Sequence, residues 1–285
     1  MLPLWYIDEA VRRALVEDVG KGDLTTNALV PENARAQGVI YSKAHGILAG
    51  MSAAERTFQY LDPQIEINWE LVDGSRLVPG SVIARVKGKG RALLTAERVA
   101  LNFLQRLSGI ATATREILKI LEGTKAQLID TRKTTPGLRL LEKYAVRAGG
   151  GCNHRLGLDD GVLIKDNHIK IAGGIKEAIR RAKAGVPHTI KIEVEVESLA
   201  QLKDALDAGA DIIMLDNMSL DTMREAVRIT AGRVPLEASG GISKETIRKV
   251  AETGVDLISV GAVTHSAKAL DISMDIGEMK RFLLV

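Results

Sequence analysis

The sequence predicts an α/β protein in two parts, the second an incomplete barrel of parallel strands. Three observations carry that prediction. From residue 126 onward six short apolar runs (QLID, VLIKD, IKIEVEVE, IIMLD, PLEASGG and LISVGA) alternate with amphipathic segments. Such a strand–helix repeat builds a parallel sheet covered by helices. The last four runs end in polar or glycine groups: Glu193 and Glu195, Asp216 and Asn217, Ser239-Gly240-Gly241, and Gly261. Barrel enzymes place their chemistry at that end of the strands. Six runs fall short of the eight of a full barrel, so this one is expected to be incomplete.

Residues 1–108 have a different grammar. The stretch MLPLWYIDEAVRRALVEDVG has acids by Asp8 and Glu9 and no basic start before an apolar run, so no signal peptide is expected. GVIYSKAHGILAG (38–50), IEINWELVDGSRLV (65–78) and SVIARVKGKGRALL (81–94) read as strands between glycine-rich turns. The run from Asp73 to Leu94 resembles the hairpins of lipoyl and biotinyl domains. It has no attachment lysine at a hairpin tip, so it reads as scaffold. A long helix is expected over about 95–121, where Val99, Phe103, Leu104, Leu107, Ile110, Ile117, Leu118 and Leu121 recur at helical spacing. Gly109 is expected to interrupt it and to mark the passage from a first domain (1–108) to a second (109–269). In the second domain, Ser198, Ser219 and Ser243 are placed as N-caps, and Gly185, Gly209 and Gly254 as helix stops.

Composition narrows the classes. Hydrophobic content of 46% and charged content of 26% are those of a globular chain. The net charge is +3, and the basic residues form no aromatic-interleaved cluster, so no nucleic-acid partner is expected. No apolar run approaches the roughly 18 residues that span a membrane. Cys152 is the only cysteine, which excludes an intrachain disulfide and makes the cytoplasm the expected location.

The candidate chemistry is that of an anion pocket. DTRKTTPG (130–137) ends an apolar strand in Arg132 and Lys133 before Pro136 and Gly137 turn the chain. GGGCNHRLGLDDGVLIKDNH (149–168) adds His154, Arg155 and Lys165. Arginine grips a carboxylate bidentately, and lysine gives a compact charge for phosphate. ASGGIS (238–243) lies between a strand and a helix expected to begin at Ser243, where backbone N–H groups and a helix terminus suit phosphate. Gly261 and His265 come from the next loop. Glu193 and Asp216 sit on successive strand ends, placed to bind Mg²⁺ or sugar hydroxyls. Alternation puts Glu193, Glu195 and Glu197 on one face, so some of them must meet cations or metal. Cys152 and His154 supply too few ligands for a zinc site.

The block DTRKTTPGLRLLEKYAVRAGGGCNHRLGLDDGVLIKDNH (130–168) closely resembles the quinolinate phosphoribosyltransferase family. EDVGKGDLTT (17–26), AERVALNFLQRLSGIAT (96–112), EVEVES, MLDN and EASGGI extend the likeness over nearly the whole chain. The resemblance implies an N-terminal α/β sandwich beside an incomplete α/β barrel of about six strands, with residues 270–285 returning to the first domain. It implies transfer of phosphoribosyl from phosphoribosyl pyrophosphate to quinolinate with loss of CO₂. It also implies substrate-bound Mg²⁺, no covalent cofactor, and a homodimer or larger assembly whose site takes Arg98 from the partner. Arg132, His154 and Arg155 match positions that bind quinolinate, and Lys133 and Lys165 the lysines between the two substrates. Glu193 and Asp216 match the acids near ribose and Mg²⁺. Ser239, Gly240, Gly241, Gly261 and His265 match the 5′-phosphate loops, and Arg139 is placed toward pyrophosphate. Three other readings are a related transferase acting on nicotinate, a barrel enzyme with Lys133 or Lys165 as Schiff-base residue, and a carrier module from 65–94.

Overall fold

The computed structural model describes residues 2–277. Their strands are, in chain order, β1 (Arg35–Ser42), β2 (Gly46–Ile47), β3 (Glu66–Trp69), β4 (Arg76–Leu77), β5 (Val82–Lys89), β6 (Gln127–Ile129), β7 (Val162–Ile164), β8 (Ile192–Val196), β9 (Ile212–Asp216), β10 (Leu236–Ser239), β11 (Leu257–Ser259) and β12 (Ile272–Ile276). The chain divides into two compact units. One takes residues up to 115, 134–150 and from 266 on, and the other takes 116–133 and 151–265. This compact division falls at 115/116, a few residues beyond the 108/109 expected from Gly109, and the segment 134–150 goes with the first unit.

The first unit is built on an antiparallel sheet in the order β12-β1-β5-β3, with a two-stranded β2-β4 ribbon. β12 joins it by pairing Gly38 with Ile276 through Ser42 with Ile272. Residues 278–285, the rest of the segment expected to return here, lie outside the described residues. A core of Ile40, Leu48, Phe58, Ile83, Val86, Leu93, Leu101 and Leu104 fills this unit. Leu93 marks a correction. Residues 90–94, expected to extend a strand, are the first turn of a 32-residue helix, Gly90–Leu121. Leu93, Ala96, Ala100 and Leu104 are all buried, so the 3.6-residue spacing already starts at Leu93. Gly109 does not interrupt this helix. A Cβ there would lie 2.0 Å from the carbonyl oxygen of Lys268, so the glycine serves the close crossing of another segment and not a break.

The second unit is a six-stranded all-parallel sheet in the order β6-β11-β10-β9-β8-β7. This is the incomplete barrel. β7 to β11 are neighbours in chain order, and β6 pairs with β11, which leaves the ring open between β6 and β7. Cys152 makes a parallel bridge to Ile129, and its N–H donates to the Leu128 carbonyl at 2.9 Å. The Gly-rich segment thus lies against the outer edge of β6.

The caps at Ser198 and Ser219 form, each hydroxyl accepting a backbone N–H three residues on. Ser243 does not cap its helix. Thr246 Oγ1 accepts the Ser243 N–H at 3.0 Å, and the helix proper is only Ile247–Ala251. Local side-chain bonding holds residues 244–246 in a turn in place of the first helical turn. Gly209 and Gly254 take φ values of +72° and +93°, as helix stops require. A helix not expected from the sequence, Asp166–Ala172, follows β7 directly.

Candidate active site

A cavity of about 590 Å³ opens at the C-terminal ends of the parallel strands. The strand-end residues that line it are Lys133, Lys165, Glu195, Asp216, Ser239 and Ser259, with Gly240, Gly241, Gly261 and His265 from the last two loops. His154 and Glu237 reach it from deeper positions. Of the expected residues, Lys133, His154, Lys165, Asp216, Ser239, Gly240, Gly241, Gly261 and His265 therefore share one cavity.

Each part of the wall has a local cause. Gly240 (φ +96°) and Gly241 (φ +59°) adopt backbone that side chains disfavour. A Cβ on Gly240 would stand 2.2 Å from Asn217 Oδ1. Asn217 in turn donates from Nδ2 to Asp216 Oδ2 at 2.9 Å, and its N–H donates to the Ser239 carbonyl at 3.0 Å. These contacts tie the ends of β9 and β10 together and fix the loop in which backbone N–H groups can meet an anion. Across the cavity, a Cβ on Gly261 would press on Lys133 Cδ at 3.1 Å, so the glycine leaves room for the lysine. The Lys133 carbonyl accepts from Thr264 Oγ1 at 2.8 Å. The helix Ile247–Ala251 is too short and begins too late to add its terminus to a phosphate site here.

Lys165 Nζ donates to Glu195 Oε2 at 2.5 Å. Glu195, two residues beyond Glu193, is thus the β8 acid that lines this cavity. Glu193 is 5% exposed and lines a second, smaller cavity of about 290 Å³ instead. Gln127, Val162, Lys191, Ile212 and Leu257, which start or precede strands, line that second cavity too, so it lies at the opposite, N-terminal face of the sheet. Arg155 also lines it and donates from Nη1 to the Gly161 carbonyl at 3.0 Å, while its Nε is buried without a hydrogen-bond partner. Burial first, and the Arg132 guanidinium second, push the Arg155 pKa down. Two like charges this close, one partly desolvated, suit an anion between them. Arg98 is exposed on Gly90–Leu121 and belongs to the other unit. So does Arg139, whose Nε donates to Thr134 Oγ1 at 3.0 Å.

Sequence reasoning gave no role to Asp130 or Glu237, and named Glu195 on the β8 face without choosing it for the site. Asp130 is fully buried and accepts from Asn153 Nδ2 at 2.6 Å and from the His154 N–H at 2.9 Å, which fastens the His154–Arg155 segment to the end of β6. Glu195 and Glu237 were legible through alternation: Glu195 shares its face with Glu193, and Glu237 shares its face with Ser239. In the ladder Glu195, Met214 and Glu237 are register partners across β8, β9 and β10. Burial first and the Glu193 charge second push the Glu237 carboxyl up to about 9.

The sequence pattern of the quinolinate phosphoribosyl transferase C-terminal domain matches residues 110–275, and that of the N-terminal domain matches residues 23–108. A probable nicotinate-nucleotide pyrophosphorylase [carboxylating] of Bacillus subtilis is 49% identical over 261 residues, 92% of this chain and 90% of the relative. A counterpart of the same description from Synechocystis is 44% identical, covering 96% and 94%. Among solved structures, the nicotinate-nucleotide pyrophosphorylase of Francisella tularensis superposes with a TM-score of 0.93 at 43% identity, covering 97% of this chain and 98% of its own. NadC of Streptococcus pyogenes gives a TM-score of 0.94 at 44% identity, covering 98% and 99%.

Proposed function

The chain belongs to the quinolinate phosphoribosyltransferase family, and from that premise we propose how its own residues carry the reaction. The enzyme transfers phosphoribosyl from phosphoribosyl pyrophosphate to quinolinate with decarboxylation, a step of NAD biosynthesis. The observation that carries the residue assignment is the strand-end cavity that joins two lysines, three carboxylates and two glycine-rich loops. One substrate brings two carboxylates and the other several phosphate charges, so their meeting requires such a concentration of donors and cations.

Ser239, Gly240, Gly241 and Gly261 receive the 5′-phosphate through backbone N–H groups, with His265 beside them. Lys133 and Lys165 lie between the substrates. As the bond from C1 to pyrophosphate breaks, its electron pair leaves with the pyrophosphate and positive charge develops on the ribose. Asp216 and Glu195 are the carboxylates that face this charge; Glu195 takes the place expected of Glu193, which is turned to the other cavity. The pyridine nitrogen lone pair forms the new bond to C1. The C2–carboxylate bond then breaks, the pair stays on C2 beside the pyridinium, and a proton replaces the departing CO₂. Arg132 is assigned to the dicarboxylate together with His154, which lines this cavity; Arg155, like Glu193, lines the other cavity. Arg139 is assigned to pyrophosphate, and Arg98 is supplied by the partner in a homodimer.

Mg²⁺ takes oxygen ligands, and Asp216 presents a half-buried carboxylate at the cavity, so the donor set fits a pyrophosphate-bound Mg²⁺ held there. When bound, Mg²⁺ would neutralise the leaving group. Among the described residues no helix is long and apolar enough to cross a membrane, and a cytoplasmic location suits the single cysteine.

The deciding assay supplies quinolinate labelled in its 2-carboxylate with phosphoribosyl pyrophosphate and Mg²⁺, and follows released CO₂. Release that depends on both substrates is expected. Pyrophosphate release with nicotinate but no CO₂ with quinolinate would move the chain to the other acceptor.

A further inference from the structure

Beneath the strand-end cavity lies a buried group whose two carboxylates the mechanism above does not use. His154 Nε2 stands 3.0 Å from Glu193 Oε2 and 3.7 Å from Glu237 Oε2. One ligand atom from each residue falls within 4.8 Å of the others. Glu193 and Glu237 are 5% and 1% exposed, and each has one carboxyl oxygen, Oε1, buried without a hydrogen-bond partner. His154 and Glu237 line both cavities, so this group forms the floor between the two faces of the barrel.

Two chemistries suit two acids and a histidine at this distance, a divalent cation or a shared proton. The histidine decides between them. The Arg155 backbone N–H donates to His154 Nδ1 at 2.7 Å, so Nδ1 is an acceptor and the ring proton sits on Nε2. A metal at Nε2 needs the opposite tautomer. The Nε2 proton can reach at most one of the two carboxylates, and two ionised carboxylates facing each other in a site this buried repel, since each is acceptor-only. The Ser259 hydroxyl and Lys165 also face Glu237 and Arg155 faces Glu193, and the two acids meet without repulsion where one is un-ionised and donates to the other. Glu193 stands the nearer to the histidine; Glu237 is the more buried and has Glu193 as its neighbour.

We propose that Glu237 is a positioning residue: as an un-ionised carboxylic acid it donates a hydrogen bond to Glu193, and so holds the Glu193–His154 pair that floors the catalytic cavity. Glutamine at 237 keeps a donor and cannot become an anion, whereas leucine keeps the volume and loses the donor. The kinetic arm rests on the transferase reading and the spectroscopic arm does not, so the two can fail separately. Difference infrared spectra of wild type against Glu237→Gln should show the carbonyl stretch of an un-ionised carboxyl that the variant lacks. Glu237→Gln should hold kcat and both KM values within roughly threefold of wild type, while Glu237→Leu should lose roughly tenfold in kcat/KM for quinolinate, the size of a lost charge-assisted hydrogen bond. A Glu237→Gln enzyme as impaired as Glu237→Leu, or a wild type without that band, would overturn the proposal in favour of an anion. A divalent ion retained by wild type after exhaustive dialysis and lost from Glu237→Gln would overturn it in favour of a metal. Normal kinetics in Glu237→Leu would remove the positioning role. Should Glu237→Leu fail to fold, the band and the Glu237→Gln kinetics still decide.

Discussion

Burial first and the Arg132 charge second depress the pKa of Arg155, against the charges of Glu193 and Asp160, and Arg132 offers a guanidinium fork suited to a carboxylate. Arg132→Ala should therefore raise the quinolinate KM, or lower kcat/KM, by at least about tenfold, since a lost charge-assisted bond costs roughly 1.5–3 kcal/mol. Initial rates at varied quinolinate check this, and unchanged kinetics would take Arg132 out of the site. Glu237 yields a second expectation, in stability. Its carboxyl is pushed from 4.5 up to about 9, so the folded chain keeps a proton that the unfolded chain releases. The stability linked to it is whole below 4.5 and is lost as pH rises toward about 9. Glu237→Gln should lack that part of the decline in urea unfolding. Parallel pH profiles for the two proteins would contradict the assignment.

At the scale of elements, two glycines separate binding from folding. Gly240 joins β10 to its loop at φ +96°, with Asn217 2.2 Å from where a Cβ would be. Gly240→Ala should displace that loop, because such backbone strain costs roughly 1–3 kcal/mol. The KM for phosphoribosyl pyrophosphate should rise by about tenfold while that for quinolinate changes little; equal effects on both would place the phosphate elsewhere. Gly109, inside the helix Gly90–Leu121, faces the Lys268 carbonyl. Gly109→Ala should lower the melting temperature by several degrees, the effect of about 1–3 kcal/mol of overpacking. An unchanged melting temperature would show that the crossing segment yields without cost.

At the scale of the whole molecule, Arg98 sits on the exposed side of a helix of the first unit, whereas the cavity belongs to the second. If a partner supplies Arg98, inactive Arg98→Ala and inactive Lys133→Ala chains should complement each other. After mixing and re-association, roughly a quarter of wild-type activity should return, since half the dimers are hybrids with one intact site each. No recovery, with hybrids verified by mass, would mean that each chain uses its own Arg98.

The sequence by itself determined the barrel, its six strands and the polar residues at their ends, because strand alternation and the strand–helix repeat are local patterns. It located Lys133, Lys165, Asp216, Ser239 and the paired glycines by the same logic, and the resemblance of residues 130–168 named the family. It did not decide which β8 acid meets the cavity, since Glu193 and Glu195 share a face and differ only in depth along the strand. Depth is set by the ladder with β7 and β9. Nor did it decide that Gly109 belongs to a continuous helix or that Ser243 precedes a turn, for the first depends on a segment some 160 residues away and the second on side-chain bonds that compete with the helix. The His154–Glu193–Glu237 group comes from three separate segments of the chain. Only tertiary structure could bring them together, and burial then decided what a carboxyl there becomes.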